Sequence, residues 1–109
     1  MGADIKFHGR TVVGTGGSVT LSYAHDPKGK ASRVGIIACA VDSGTRTGSV
    51  RIFYGNDAQG IEIGNGTFTA ADPSVRLDPN FVIHPGQTIT AIFSNVTTGD
   101  VVSMFVGGH

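Results

Sequence analysis

Ser18-Val19-Thr20-Leu21-Ser22-Tyr23-Ala24 alternates without a break between apolar and hydroxyl-bearing side chains. Successive side chains of an extended chain point to opposite faces, so Val19, Leu21 and Tyr23 share one face and Ser18, Thr20 and Ser22 the other. That is an antiparallel strand with one dry and one wet side. The composition extends the reading to the whole chain. Its 109 residues include 12 Val, 9 Ile and 11 Thr, against 10 for Leu, Glu, Lys, Gln and Met together. Branching at Cβ costs rotamer freedom in a helix and packs well on a pleated sheet. With 17 Gly to supply turns, the chain is predicted to be all-β, a two-sheet antiparallel β-sandwich, jelly-roll-like, with a short N-terminal arm. The arm or edge strand takes residues 1–9 and a single domain takes 10–109; the length suits one core.

Ten short strands are expected, at Ile5–His8, Thr11–Val13, Ser18–Ala24, Arg33–Val41, Ser49–Tyr54, Gly60–Ile63, Thr67–Ala70, Phe81–Ile83, Gln87–Phe93 and Val101–Val106. Gly64-Asn65-Gly66 reads as a three-residue hairpin between two of them, because its residues tolerate positive φ. His84-Pro85-Gly86 reads as the turn before another. The segments His25–Lys30 and Ala70–Ser74 read as exposed connections, and the recurrence of Gly-Ser-Val at Gly17 and Gly48 reads as chance. Val34–Val41 is apolar on both faces, so its outer face calls for a cover from a loop, a terminal arm or another subunit.

The same residues exclude several chemistries. Eight basic residues balance eight acidic ones, so no net field draws in nucleic acid or anionic lipid, and neither is expected as a partner. Charges within the first eight residues argue against an export signal, and no apolar run approaches the ~20 residues that span a bilayer as a helix. One Cys makes no internal disulfide, and the two glycosylation sequons, at Asn65 and Asn95, read as turns in the absence of an export route. Gly14-Thr15-Gly16-Gly17-Ser18 leads into a strand, without the Lys and helix of a phosphate loop or the frame of a nucleophilic serine. His8, His25, His84 and His109 match no metal-ligand spacing, so no metal or cofactor is expected. A pH effect at a subunit contact is the better use for His25 or His84. Glu62 is the one glutamate and the aspartates sit in turns, which leaves no paired carboxylates for hydrolysis; Asp42, Asp57, Asp72 and Asp78 form no regular calcium array. Cys39, mid-strand, reads as a small hydrophobe with a raised pKa. Phe53 shares a face with Arg51 and is expected to be exposed.

Gly17–His25, Pro27-Lys28-Gly29, Arg33–Ile37 and Val50-Arg51-Ile52-Phe53-Tyr54-Gly55 resemble small β-sandwich modules of tailed-phage structural proteins and some bacterial surface proteins. The resemblance covers about residues 17–62. It implies a non-enzymatic virion component of the capsid decoration, or cement, kind, located on the virion. Its partners would be further copies of itself, with a trimer favoured, and a major capsid protein. The candidate partner contacts are Ile5, Lys6 and Phe7, as a strand added to a neighbour's sheet edge, together with Ile37, Cys39, Arg51 and Phe53. The alternative is a lectin- or adhesin-like binding module for a glycan or host receptor, with Tyr54 and Phe53 as the positions where a glycan would be felt. A small hydrolase or isomerase using His84 or His25 is the remaining rival.

Overall fold

The structure, a computed structural model, describes residues 5–44, 46–55 and 60–108. These form nine strands: β1 (Lys6–Val12), β2 (Gly17–Ala24), β3 (Ser32–Ser43), β4 (Gly48–Tyr54), β5 (Ile61–Phe68), β6 (Ser74–Leu77), β7 (Phe81–Ile83), β8 (Thr88–Val96) and β9 (Val101–Gly108). One sheet runs β1-β9-β3-β6, with β7 also paired to β3, and the other runs β2-β8-β4-β5. All pairings are antiparallel. This order is that of an eight-stranded jelly roll, in which the chain crosses repeatedly from one sheet to the other. Among the described residues no helix is long and apolar enough to cross a membrane.

The dry faces meet in one cluster that includes Ile37, Cys39, Val50, Ile52, Phe68, Phe93, Val102 and Met104. Phe68 and Phe93 stack at its centre, with centroids 6.0 Å apart and planes 14° apart. The alternation of Ser18–Ala24 holds as read: Val19, Leu21 and Tyr23 pack on the core while Ser18, Thr20 and Ser22 are exposed. The two Gly-Ser-Val runs have a structural meaning after all. Ser18 and Ser49 both pair with Ser94, and Val19 and Val50 both pair with Phe93, so the runs start equivalent strands on either side of β8.

Several expectations are corrected. Gly64-Asn65-Gly66 is no hairpin; it lies inside β5, which runs unbroken from Ile61 to Phe68. A Cβ on Gly64 would come 2.4 Å from Leu77 Cδ1, and one on Gly66 2.5 Å from Val75 Cγ2. These glycines clear space for β6, which closes over β5, and β6 itself falls partly within the expected connection at Ala70–Ser74. Ile5–His8 and Thr11–Val13 merge into one strand through Gly9, paired along its length with β9, so the N-terminal segment extends its own sheet. It is an edge strand of that sheet.

The partner contacts change with it. Ile5 is buried in the core, and Phe7 packs against Tyr23 with ring centroids 5.1 Å apart. Ile37 and Cys39 have no accessible surface, because a register shift between Val34 and Ile36 turns both inward together with Val34 and Val41. Within Val34–Val41 the outward positions are Ile36, Ala38 and Ala40, each half-buried. Burial pushes the Cys39 thiol up to about 12.

Gly66→Ala is expected to cost about 1–3 kcal/mol, since Val75 is branched at Cβ and has nowhere to move its methyl. Gly14→Ala, whose new Cβ would meet nothing within 4 Å, should stay within ~0.5 kcal/mol of the parent. Urea unfolding of the two variants measures the difference.

Candidate functional site

The wet face of the β2-β8-β4-β5 sheet is ordered in cross-strand rows. Ser18, Ser94, Ser49 and Thr67 form one; Thr20, Ile92, Arg51 and Asn65 the next; Ser22, Thr90, Phe53 and Glu62 the third. Arg51 and Glu62 share an ion pair, with Nη2 2.6 Å and Nε 2.7 Å from Oε1. Asn65 Nδ2 donates to the other carboxylate oxygen at 2.8 Å. Bonds from Asn65 and Arg51 hold the Glu62 carboxyl below its ordinary range. The Arg51 guanidinium also covers the Phe53 ring, 5.1 Å from its centroid. Phe53 therefore shares the outer face with Arg51, as read from the sequence, but is only 3% exposed; the cation above it removes it as a contact. Arg51 remains exposed, as does Lys6 on the other sheet.

At the end of β4, one residue beyond the outward-facing Phe53, lies a depression of about 420 Å³ lined by Tyr54, Gly55, Ile61, Gly86, Gln87 and Thr88, with Tyr54 on the inward-facing side of its strand. Three segments build it. A register shift between Ile52 and Phe53 on β4 precedes Tyr54, which pairs with Ile61 at the start of β5. The Tyr54 ring is backed by Phe81, with centroids 5.0 Å apart and planes 26° apart. Its hydroxyl donates to Gln87 Oε1, which also accepts from the His84 amide at 3.0 Å. Gln87 closes a turn from His84, its amide 3.1 Å from the His84 carbonyl. Pro85 sets the first corner and Gly86, at φ 83°, takes the second, the requirement of a type II turn. Ile61 is 73% exposed.

The turn is fastened to the end of β2 by two backbone bonds, His25 N to Gln87 O at 2.9 Å and Gly86 N to His25 O at 3.0 Å. The His25 ring is itself locked. Nε2 lies 2.6 Å from the Lys30 carbonyl, which only accepts, so Nε2 carries the proton and Nδ1 accepts from the Tyr23 hydroxyl at 2.6 Å. Burial, and then Asp26, push the Tyr23 hydroxyl above its ordinary pKa. His25 thus spends both nitrogens on holding the loop, and His84 contributes its backbone to the turn; the two do not converge as an acid–base pair. Among the described residues no three His, Cys, Asp or Glu side chains gather where they could hold a metal ion.

No protein-family model matches the chain, and no curated protein matches its sequence. Solved structures match its shape. A mitogen from Yersinia pseudotuberculosis superposes with a TM-score of 0.52 at 15% identity, over 100% of this chain and 88% of that one. The likeness is one of fold. A family GH29 fucosidase from Ruminococcus gnavus, solved in complex with fucose, gives 0.57 at 13% identity; the match takes in 94% of this chain and 19% of the enzyme. The Drosophila NLP core, whose structure bears on pentamer formation and histone binding, gives 0.50 at 14% identity over 98% of each chain. Proteins this varied share the sandwich, so the site and not the fold must carry any functional reading.

Of the two aromatic positions tied to a glycan by the sequence, Tyr54 lines the depression and Phe53 does not. Ile61 and Gln87 were missed, because neither belongs to a motif and only the strand pairing brings them to Tyr54. Asn65→Ala is expected to raise the Glu62 titration midpoint toward the ordinary carboxyl value, read from side-chain carboxyl shifts by NMR. The parent midpoint is depressed, so whatever the network adds to stability is present above the ordinary value and is lost as pH falls through the depressed one.

Proposed function

We propose that the chain is a non-catalytic binding module of the lectin or adhesin kind that takes a saccharide in the depression at Tyr54. The depression itself carries this reading. Its volume of about 420 Å³ falls within the range of small-molecule sites, roughly 300–1,000 Å³. A sugar ring offers apolar C–H patches rimmed by hydroxyls. Tyr54 and Ile61 offer apolar surface to the patches, while the Gln87 Nε2 amide offers a donor to the rim and the Tyr54 phenol oxygen, its proton given to Gln87 Oε1, offers an acceptor. The backing of Tyr54 by Phe81 and the fastening of the turn to His25 fix these groups before a ligand arrives, which lowers the cost of binding. Jelly rolls serve as lectin domains elsewhere, and the fucose-bound fucosidase makes fucose a sensible first ligand to try.

A decoration protein assembling as a trimer on a virion is the second reading. The jelly-roll order favours it, since capsid domains use the same order. On that reading native mass spectrometry finds a trimer, and the purified protein binds capsids that lack it.

Isothermal titration calorimetry against fucose and a panel of neutral monosaccharides tests the first reading. At least one sugar is expected to bind, with Tyr54→Ala losing about tenfold or more in affinity and Thr20→Ala, out on the open sheet, losing little. An absence of heat across the panel, or a Tyr54→Ala variant that binds like the parent, contradicts the saccharide site.

A further inference from the structure

We propose that the outer face of the β1-β9-β3-β6 sheet binds single-stranded nucleic acid, with Phe105 as the stacking platform and the surrounding cations gripping the phosphates. This surface lies on the opposite side of the sandwich from the sheet that runs into the depression, and the inference stands independently of the saccharide reading.

The balanced net charge is a sum over the chain and conceals a separation. Lys6, His8 and Arg10 project from the outward positions of β1, Arg33 from β3 and Arg76 from β6, all exposed. Four of the eight Lys and Arg residues therefore stand on one face. The carboxylates that reach it among the described residues are Asp42 and Asp78. Asp42 lies 3.6 Å from Arg10 Nε and Asp78 3.1 Å from Arg76 Nη2. Arg33 donates to Asn80 Oδ1 at 2.7 Å, a neutral partner that leaves its charge uncompensated. The opposite sheet face, in contrast, holds Arg51 and Glu62 as a neutral pair.

The centre of the basic face is aromatic. Phe105 is 37% exposed, unusual for a Phe on a strand otherwise buried. Its ring leans over Gly107: a Cβ there would come 2.7 Å from Phe105 Cε2 and 2.8 Å from Ile36 Cγ2. Glycine at 107 thus makes the seat in which the ring lies. One cross-strand row reads His8, Phe105, Ala38, Arg76. His8 is the cross-strand partner of Phe105 on one side, and on the other the small Ala38 stands between it and Arg76, which is roughly 10 Å away at two strand spacings.

The available chemistry selects the ligand. The carboxylates on this face are engaged by Arg10 and Arg76, which they neutralise in turn. What remains on offer is the positive charge of Lys6 and Arg33, with no carboxylate partner among the described residues, and an aromatic face for a flat ring. Nucleotides in a single strand present both, with the bases free to stack. Asn80, an amide side chain on this face, has its Oδ1 occupied by Arg33, and none stands in the cross-strand row of Phe105, so recognition is indifferent to sequence.

Fluorescence anisotropy of labelled dT20 and rU20 at low salt tests this, with heparin as a polyanion that has no bases. The oligonucleotides are expected to bind, with log affinity falling linearly against log salt at a slope of about −0.7 for each phosphate engaged. Phe105→Leu keeps apolar packing and removes the ring; it should weaken binding about fivefold or more and leave the slope unchanged. Lys6→Ala combined with Arg33→Ala should flatten the slope, and Arg51→Ala, on the other sheet, should do neither. Absence of oligonucleotide binding, heparin bound as tightly as dT20, or a Phe105→Leu variant that binds like the parent each overturns the proposal.

Discussion

β6 can close over β5 because β5 has no side chains on its inner face where β6 arrives. Gly64 and Gly66 lie on the inner face of their strand, and Leu77 and Val75 occupy the space their Cβ atoms would fill. That contact draws the edge of one sheet over the edge of the other and closes the core around the stacked rings of Phe68 and Phe93. The rest follows geometrically. With one face of each strand committed to the dry interior, the opposite faces become two outer surfaces of different chemistry, and the strand ends become the place where loops from both sheets can form a depression.

Alternation made the main strands readable, and its interruptions hid the surfaces. Ser18–Ala24 obeys a period of two to its end, so both its faces could be assigned from residue types alone. Val34–Val41 is apolar throughout, and the register shift at Val34/Ile36 reverses which residues face inward, so Ile37 and Cys39 point into the core. Nothing local distinguishes a glycine that turns a chain from one that makes room for a neighbour. The reason for Gly64 and Gly66 lies in Leu77 and Val75, on a four-residue strand bounded by Pro73 and the Asp78-Pro79 pair. Phe53 was placed on the correct face, but its cover by Arg51 is a three-dimensional fact.

The candidate site shows the same division. Tyr54 and the His84-Pro85-Gly86 turn are legible, the first as one of two tyrosines and the second by its turn chemistry. Their meeting is not, because it depends on the pairing of β4 with both β5 and β8. His25 is legible as a histidine beside a proline loop, and its role as a locked strut beneath the turn emerges only from its two hydrogen bonds. A zero net charge is likewise compatible with a sandwich whose faces differ, since a β-sheet sorts residues two apart onto one side.

The depression at one end of the sandwich is the surface through which we propose the chain acts. Amide chemical-shift mapping by NMR during titration with a bound saccharide tests it most directly. The expected result is saturable shifts at Gly55, Ile61, Gly86, Gln87 and Thr88, with the β1-β9 pair unmoved. Shifts confined to other parts of the sandwich, with those five amides silent at saturation, would contradict it.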